Sequence, residues 1–234
     1  MCDEDSGFKL SKVASAIAEP ARGRMLCHLM DGTARTATEL AAVAGVAAST
    51  ASAHLARLVS AGLLEVVSQS RHRYYRLSGE DVARSLETLM VVAEPTGRLK
   101  SSTPESLRLA RTCYDHAAGE LGVQWHDRLF ERGWLRKGSG KGSGKGEYDL
   151  SATGKEALAG YGIDIALQGR RKLAYPCIDW SERRPHLAGA LGSALLKLGM
   201  DRQWLRRSLE DRALIVTPKG RCELHDAFGI ALEL

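Results

Sequence analysis

The sequence predicts a mostly α-helical protein with small β-hairpins, of the α+β class. Two short segments of helical periodicity flank Gly45, and two β-prone runs with a basic tip between them follow. The second half carries an internal repeat, in which His116-Ala-Ala-Gly-Glu-Leu-Gly122 matches His186-Leu-Ala-Gly-Ala-Leu-Gly192. These three observations predict one helical domain followed by two related units.

Charge and cysteine content narrow the class of protein. The net charge of +5 suits a nucleic-acid partner without requiring one. The five cysteines are odd in number and scattered, which indicates reduced thiols rather than a disulfide framework. The acidic start lacks the pattern of a signal peptide, and no run of 18 apolar residues occurs. We therefore expect a cytoplasmic protein with no membrane span.

The first domain begins with two helices that are broken near Pro20. Thr36-Ala-Thr-Glu39 then forms a capping box, in which each side chain bonds to the backbone amide of the other residue. This box opens a short helix, Glu39 to Ala44, which Gly45 ends. A second helix from about Ala48 to Ser60 completes a helix-turn-helix.

A β-hairpin is predicted directly after this motif. The stretch from Leu63 to Leu77 has two β-prone runs around a polar, basic tip. A helix from Asp81 to Val92 closes the domain, which we place at residues 8–93. The combination of the two motifs is a winged helix-turn-helix.

The expected role of this domain is binding to double-stranded DNA. A helix fits the major groove, where short side chains near its N-terminus approach base edges. Cations at a hairpin tip reach phosphates or the minor groove. The predicted DNA-binding residues are Ala48, Ser49, Thr50, Ser52, His54, Arg57, Arg71, His72 and Arg73. Two alternatives stay open: His54 as a partly buried packing residue, and the arginines as ordinary solvated charges.

The first domain resembles the ArsR/SmtB family of bacterial repressors over roughly residues 10–93. The segments that carry the resemblance are Ala48-Ser-Thr-Ala-Ser-Ala-His-Leu-Ala-Arg-Leu58, Ala61-Gly-Leu63 and Arg73-Tyr-Tyr-Arg-Leu77, together with Ala21-Arg22 and Met25-Leu26 after Pro20. The resemblance implies a homodimer that binds a palindromic operator and releases it when an inducer binds. It also implies that the end helices of the domain form the dimer interface.

Two departures from that family limit what the resemblance implies. The family often has a capping serine and an adjacent glutamine where this chain has Ala47 and Ala48. A lost cap costs about 1 kcal/mol, and the missing polar side chain weakens base readout. The helix 38–44 contains no cysteine pair and the helix 81–92 contains no histidine, so the family's metal sites do not carry over at those positions.

The second half is expected to be a regulatory or effector-binding half at residues 105–234, joined by a linker at 94–104. Its two repeats, about 105–170 and 171–234, each predict helix, helix, hairpin and helix, as degenerate winged-helix-like units. The Gly/Ser/Lys segment 137–146 is expected to be a flexible basic loop at a hairpin tip, because it lacks the hydroxyl and the helix of a phosphate loop.

Cysteines and histidines of the repeats form a candidate site. Cys113 and His116 are three residues apart, which on a helix is one turn, so both would face one point. From the second repeat, Cys177, Asp179 and His186 are expected to converge on it. These groups suit a transition-metal ion such as zinc.

Three other interpretations of this site stay open. In the first, the histidines are structural residues at helix starts and the cysteines are small buried hydrophobic residues. In the second, cysteine thiols near Arg111, Arg183 and Arg184 sense oxidants. The third interpretation is an apolar pocket for an organic inducer, as opposed to ordinary aromatic core packing. The aromatic residues concerned are Tyr114, Trp125, Trp134 and Trp180.

These patterns bear on three classes of function: an enzyme, a DNA-binding regulator and a protein-interaction module. The sequence contains no nucleophile elbow, no zinc-protease motif and no nucleotide fingerprint, so we expect no enzyme. The basic hairpin tip favours a DNA-binding regulator over a winged-helix protein-interaction module without DNA. The predicted function is therefore a bacterial transcriptional regulator, a dimeric repressor that binds operator DNA and responds to a small effector: a metal ion, an oxidant or an organic molecule.

Overall fold

The computed structural model describes residues 4–69, 72–93, 104–138, 146–163 and 171–232. The chain divides into two compact units, Met1–Ser85 and Leu86–Leu234. Helices and small antiparallel sheets make up both units, which confirms the predicted α+β class. None of the helices in the described ranges is long and apolar enough by itself to cross a membrane, although one bent pair of neighbouring helices, 37–44 with 48–60, meets the length and composition test.

The first unit is a helical domain with one three-stranded antiparallel sheet, whose strand order is β1-β3-β2. Its helices are α1 (Glu4–Ile17), α2 (Pro20–Leu29), α3 (Ala37–Ala44), α4 (Ala48–Ser60) and the first part of α5 (Glu80–Ala93). Its strands are β1 (Arg35–Thr36), β2 (Leu64–Gln69) and β3 (His72–Leu77). The predicted break at Pro20, the helix-turn-helix and the hairpin are confirmed, whereas β1 was not predicted.

The helix-turn-helix is fixed by local hydrogen bonds. The Thr36 hydroxyl accepts from the Glu39 amide at 3.3 Å, and the Glu39 carboxylate accepts from the Thr36 amide at 2.7 Å. This confirms the capping box. Gly45 ends α3 with φ +65°, a left-handed conformation that favours glycine. The axes of α3 and α4 are bent by 104°, within the range usual for this motif.

The start of α4 lacks a side-chain cap, as its sequence predicts. Ala47 has the extended backbone of an N-cap residue, φ −64° and ψ 154°, but makes no side-chain hydrogen bond. We expect Ala47→Ser to stabilise the first unit by about 1 kcal/mol, because a serine hydroxyl would satisfy a free amide of the first turn. Urea unfolding followed by far-UV circular dichroism measures this change.

A matched control for this substitution is Ala53→Ser, at an exposed position within the same helix. Serine is a poorer helix former than alanine, so Ala53→Ser should give no gain in unfolding free energy. Equal effects of the two substitutions would contradict the cap as the cause.

The second unit contains two repeats that share the order hairpin, helix, hairpin, helix, and in the first repeat a short helix precedes this shared order. The first has α6 (Glu105–Leu109), β4 (Arg111–Cys113), β5 (His116–Ala118), α7 (Gly119–Glu131), β6 (Leu135–Lys137), β7 (Tyr148–Leu150) and α8 (Ala152–Gly160). The second has β8 (Tyr175–Ile178), β9 (Pro185–Ala188), α9 (Gly189–Asp201), β10 (Leu205–Arg207), β11 (Leu214–Val216) and α10 (Pro218–Phe228).

This order confirms the repeat and corrects its predicted composition. The helix, hairpin and helix that end each repeat agree with the prediction. The element directly before them is a short β-hairpin in both repeats, which was not predicted, and in the first repeat the helix α6 precedes that hairpin. Most of the predicted linker, 94–103, and the central part of the Gly/Ser/Lys segment, 139–145, lie outside the described residues. The paired strands β6 and β7 flank that segment, as expected for a hairpin.

The two repeats pack reciprocally. Helix α7 of the first repeat contacts strand β9 of the second more extensively than it contacts its own strand β5. Likewise, α9 of the second repeat contacts β5 more extensively than it contacts β9. A Cβ added to Gly122 would lie 3.3 Å from the Cβ of His186, and one added to Gly192 would lie 3.1 Å from the Cβ of His116. Each helix therefore uses a glycine to bring its backbone against a histidine of the other repeat.

Candidate DNA-reading surface and buried cysteine-histidine cluster

The N-terminal part of α4 forms one candidate site. Ala51, Leu55 and Leu58 are buried and anchor the helix to the core of the first unit. The opposite face is exposed and carries short side chains, with Ser52 donating to the Ala48 carbonyl at 2.9 Å. The predicted contact residues on this exposed face are Ala48, Ser49, Thr50 and Ser52.

His54 occupies a different environment from these residues. Its side chain is only 16% exposed, its Nδ1 lies 3.2 Å from Nη1 of Arg22, and its Nε2 lies 3.5 Å from the Glu19 carboxylate. Arg22 is in turn fixed by the backbone carbonyls of Ser15 and Ala16. This network ties α4 to the preceding helices, and it fits the alternative in which His54 is a packing residue.

Arg57, further along α4, is exposed and donates to the Ser15 hydroxyl at 3.2 Å. Its guanidinium therefore stays at the surface on the same helix as the short side chains. It is well separated along the helix from the N-terminal turn of α4.

The wing is the hairpin of β2 and β3, which pair in register from Leu64 with Leu77 to Gln69 with His72. His72 and Arg73 are exposed next to the tip, and the Arg73 guanidinium lies 6.0 Å from the centre of the Tyr75 ring. Arg71, the third predicted contact of the wing, lies outside the described residues.

One more cation lies on the same strand of the wing. Arg76 is exposed, but its guanidinium pairs with the Glu65 carboxylate on the neighbouring strand. The wing thus carries two kinds of arginine, one paired across the sheet and one over an aromatic ring.

The second candidate site is a cluster of two cysteines and two histidines. In each repeat the first hairpin pairs a cysteine directly with a histidine: Cys113 with His116, and Cys177 with His186. Directly opposed residues share one face of a sheet, so each hairpin presents a thiol and an imidazole together. The prediction that Cys113 and His116 meet is confirmed, but the helical turn invoked for it is wrong, because they face each other across a hairpin.

All four side chains of this cluster are buried. Cys113, His116, Cys177 and His186 each offer a nitrogen or sulfur atom, and these four atoms lie within 4.8 Å of one another. The two sulfur atoms are 4.0 Å apart, and the centres of the two rings are 5.1 Å apart. The hydrogen bond with Cys177 and the burial of the site raise the pKa of the Cys113 thiol. Burial lowers the pKa of His186.

A carboxylate lies behind each histidine. Asp115 Oδ1 is 3.2 Å from Nδ1 of His116, and Asp179 Oδ2 is 3.5 Å from Nδ1 of His186. Burial alone would raise the pKa of both carboxyl groups, but cationic and hydrogen-bonding neighbours hold the pKa of each below its usual range. The recurring Cys-x-Asp pattern, 113–115 and 177–179, was the sequence signal that could have revealed this pairing.

Asp179 converges on the cluster, but its oxygens already have partners. One oxygen accepts from Nη2 of Arg111 at 2.8 Å and from the Ser181 amide at 3.0 Å, and the other accepts from the Gly119 amide at 2.6 Å. These bonds fix the Asp179 carboxylate beside His186, whose Nδ1 makes no hydrogen bond within the described ranges, and leave the cysteines and histidines at the centre of the site.

A buried charge network extends from Asp179. The Arg111 guanidinium stacks over the Trp180 ring at 4.4 Å and lies 3.9 Å from the carboxylate of Glu87. Glu87 also accepts from Arg212 at 2.6 Å. Sequence reasoning missed this network, because its members are far apart along the chain and belong to no local motif.

The aromatic residues considered for an organic pocket have other neighbours. Trp125 and Trp134 pack edge-on against Phe228, with ring centres 5.6 and 6.3 Å away. Trp125 is also almost fully buried in the main core of the second unit. These contacts fit ordinary core packing.

The chain is similar to known helix-turn-helix proteins. Residues 17–67 match the family described as helix-turn-helix domain. YdfF of Bacillus subtilis, an uncharacterized HTH-type transcriptional regulator, is 38% identical over 218 residues, 91% of this chain and 93% of that protein. The HTH-type transcriptional regulator Rv0324 of Mycobacterium tuberculosis is 37% identical over 86 residues, 37% of this chain and 38% of that protein.

Among solved structures, the homodimeric winged helix-turn-helix DNA-binding domain of Mb0332 from Mycobacterium bovis, described as a possible ArsR-family regulator, is 34% identical. The match covers 40% of this chain and 87% of that chain, with a TM-score of 0.36.

Proposed function

This chain belongs to the HTH-type transcriptional regulators, with an ArsR-like winged helix and an extended C-terminal half, and we propose that it is a dimeric repressor that responds to a small effector. Proteins of this family are not enzymes, so its action rests on binding. The first unit binds operator DNA, and the second unit receives the effector.

The observation that carries this proposal is the exposed, small-residue face at the start of α4 next to a cationic wing. Ser49 and Thr50 are exposed on the first turn of a helix whose other face is anchored in the core. A helix presented in this way fits the major groove, and the exposed guanidinium of Arg73 supports a contact with a phosphate. The bare alanines of the helix leave few polar groups for base readout, so the wing contributes a large share of the affinity.

Exposed apolar side chains on the end helices support the dimer. Phe8 and Leu10 of α1 are 72% and 70% exposed, and Val92 of α5 is 78% exposed. Large apolar side chains that stay exposed on the end helices support a surface that another chain covers. Sedimentation analysis should therefore give twice the mass of one chain.

The test of this function is fluorescence anisotropy with a labelled duplex from the region upstream of the protein's own gene. Selective binding, measured against a scrambled duplex of equal length at a stated salt concentration, is the expected result. Equal binding of both duplexes over a range of salt concentrations would overturn the proposal.

Arg73→Ala should weaken binding to all sequences to a similar extent, because a phosphate contact carries no sequence information. A dimer would lose two such contacts, so the slope of log K against log salt should become shallower by about 2. Anisotropy titrations at several salt concentrations measure the slope.

Arg76→Ala is the matched control, since Arg76 is on the same strand but already paired with Glu65. We expect it to leave the slope nearly unchanged. If both variants change the slope equally, the contact is not specific to the exposed end of the wing.

A further inference from the structure

We propose that Cys113, His116, Cys177 and His186 bind one zinc-class divalent cation, and that this ion holds the two repeats of the second unit together. The proposal adds a specific ligand to that unit and does not depend on DNA binding. Its starting point is the convergence of four ligand side chains from two separate hairpins.

The spacing of the four ligand atoms is close to that of a tetrahedral metal site. In a tetrahedral zinc site with bonds of about 2.0–2.3 Å, neighbouring ligand atoms lie roughly 3.3–3.8 Å apart. The two sulfurs here are 4.0 Å apart, and all four ligand atoms lie within 4.8 Å of one another. Small side-chain adjustments are enough to close this arrangement around an ion.

The two histidines of the cluster have buried ring nitrogens that make no hydrogen bond within the described ranges. Nε2 of His116 and Nε2 of His186 are buried and make no hydrogen bond with any residue in the described part of the chain. Leaving such atoms unsatisfied is unfavourable. A bound cation would satisfy both atoms at once, because neutral imidazole nitrogen is a good zinc ligand.

A carboxylate lies near the other ring nitrogen of each histidine. Metal-binding histidines usually have a carboxylate or carbonyl at the ring nitrogen that does not bind the ion. Asp115 and Asp179 stand at the Nδ1 atoms of His116 and His186, at 3.2 and 3.5 Å. Asp115 orients His116 through a hydrogen bond, whereas Nδ1 of His186 makes none with a described residue, so a small shift of that ring toward Asp179 is needed on binding.

Charge balance and geometry select the class of ion. Binding releases the two thiol protons, and two thiolates with two neutral imidazoles then neutralise a dication, which makes burial of the complex favourable. Thiolate and imidazole together suit zinc, cadmium or cobalt rather than magnesium or calcium. Four protein ligands leave no open position, so the site is a structural or regulatory one rather than a catalytic one.

A disulfide between Cys113 and Cys177 explains fewer features of the cluster than a bound ion does. A disulfide bond needs the sulfurs about 2.05 Å apart, roughly half of the 4.0 Å observed. It would also leave both buried imidazoles without a partner. The convergence of histidines with cysteines is explained by an ion and not by a sulfur-sulfur bond.

The test is a cobalt titration of the full chain, free of affinity tags, reduced and stripped with a chelator. We expect about one cobalt ion per chain, with thiolate-to-cobalt charge-transfer absorption and the intense visible bands of a tetrahedral site. Zinc should displace the cobalt. A thousandfold excess of zinc over its Kd should raise the Tm of the second unit by roughly 10 °C.

Variants locate the site. Cys177→Ser should lower the charge-transfer intensity by about half, since one thiolate remains, and both Cys177→Ser and His186→Gln should weaken binding at least about 100-fold, while Asp115→Asn should weaken it about 10- to 100-fold. Cys222→Ser, at an exposed cysteine outside the cluster, should bind like the wild type. The spectrum of the wild type and of Cys222→Ser remains decisive even if a ligand variant fails to fold.

Three results would overturn the proposal. They are the absence of cobalt binding to the reduced wild type, a charge-transfer intensity and cobalt affinity that are unchanged in Cys177→Ser, and a Cys113–Cys177 disulfide in a chain that binds no ion when reduced. None of these measurements uses DNA, so a failure of this proposal and a failure of the repressor function are distinguishable.

Discussion

Asp179→Ala should destabilise the second unit by about 3–5 kcal/mol, because it removes one partner of a buried ion pair. Asp179 and Arg111 are both fully buried, and their charged atoms lie 2.8 Å apart. The substitution also removes the acceptor for the amides of Gly119 and Ser181. Urea unfolding followed by tryptophan fluorescence reports on this unit, since all four tryptophans lie beyond residue 85.

Asp201→Ala is the control for this prediction. Asp201 belongs to the same unit but pairs with Lys197 at the surface, where both side chains are more than half exposed. Exposed pairs contribute about 0–1 kcal/mol, so the unfolding free energy should change little. A loss below about 1 kcal/mol for Asp179→Ala would mean that the buried network does not stabilise the unit.

Gly192→Ala should destabilise the same unit by about 3 kcal/mol, because the added Cβ has no room. It would lie 2.2 Å from the Leu187 carbonyl oxygen and 3.1 Å from the Cβ of His116. The backbone at Leu187 and the hairpin of the first repeat at His116 would both have to move. The Tm and the tryptophan fluorescence transition of the full chain measure the effect.

Gly160→Ala makes the same chemical change in α8 of the same unit, at a position with no atom within 4 Å of the added Cβ. Here alanine should stabilise by about 0.5–1 kcal/mol through its better helix propensity. Effects of the same sign at both positions would contradict close packing as the reason for Gly192.

The winged helix could be predicted because its signals are local. Helix α3 begins at the capping box of Thr36 and Glu39 and ends at Gly45. Each of these residues acts within one helical turn, so a short stretch of sequence is enough to predict its effect. The exposed face of α4 followed in the same way from helical periodicity. The environment of His54 could not be predicted, because Arg22 reaches it only when separate helices pack.

The buried cluster was predicted for an incorrect reason. Spacing by three residues fits a helical turn, but it also fits a hairpin closed by two residues. The hairpin turn here uses Tyr114 with φ +61°, a conformation that tyrosine rarely adopts and that no sequence rule indicated. The recurrence of the Cys and His pattern in both repeats was the reliable signal, because it indicates convergence of these residues whether they lie on a helix or on a hairpin.

The reciprocal packing of the two repeats bears on how such a chain arises. A protein with one repeat completes this arrangement only by pairing with an identical copy, and duplication with fusion makes that pairing intramolecular. Two fused copies are then free to diverge, as two identical subunits are not. The aspartates carry this asymmetry: Asp115 meets Arg171 near the surface, whereas Asp179 is buried against Arg111. An ancestral dimer would have had to use one residue for both tasks.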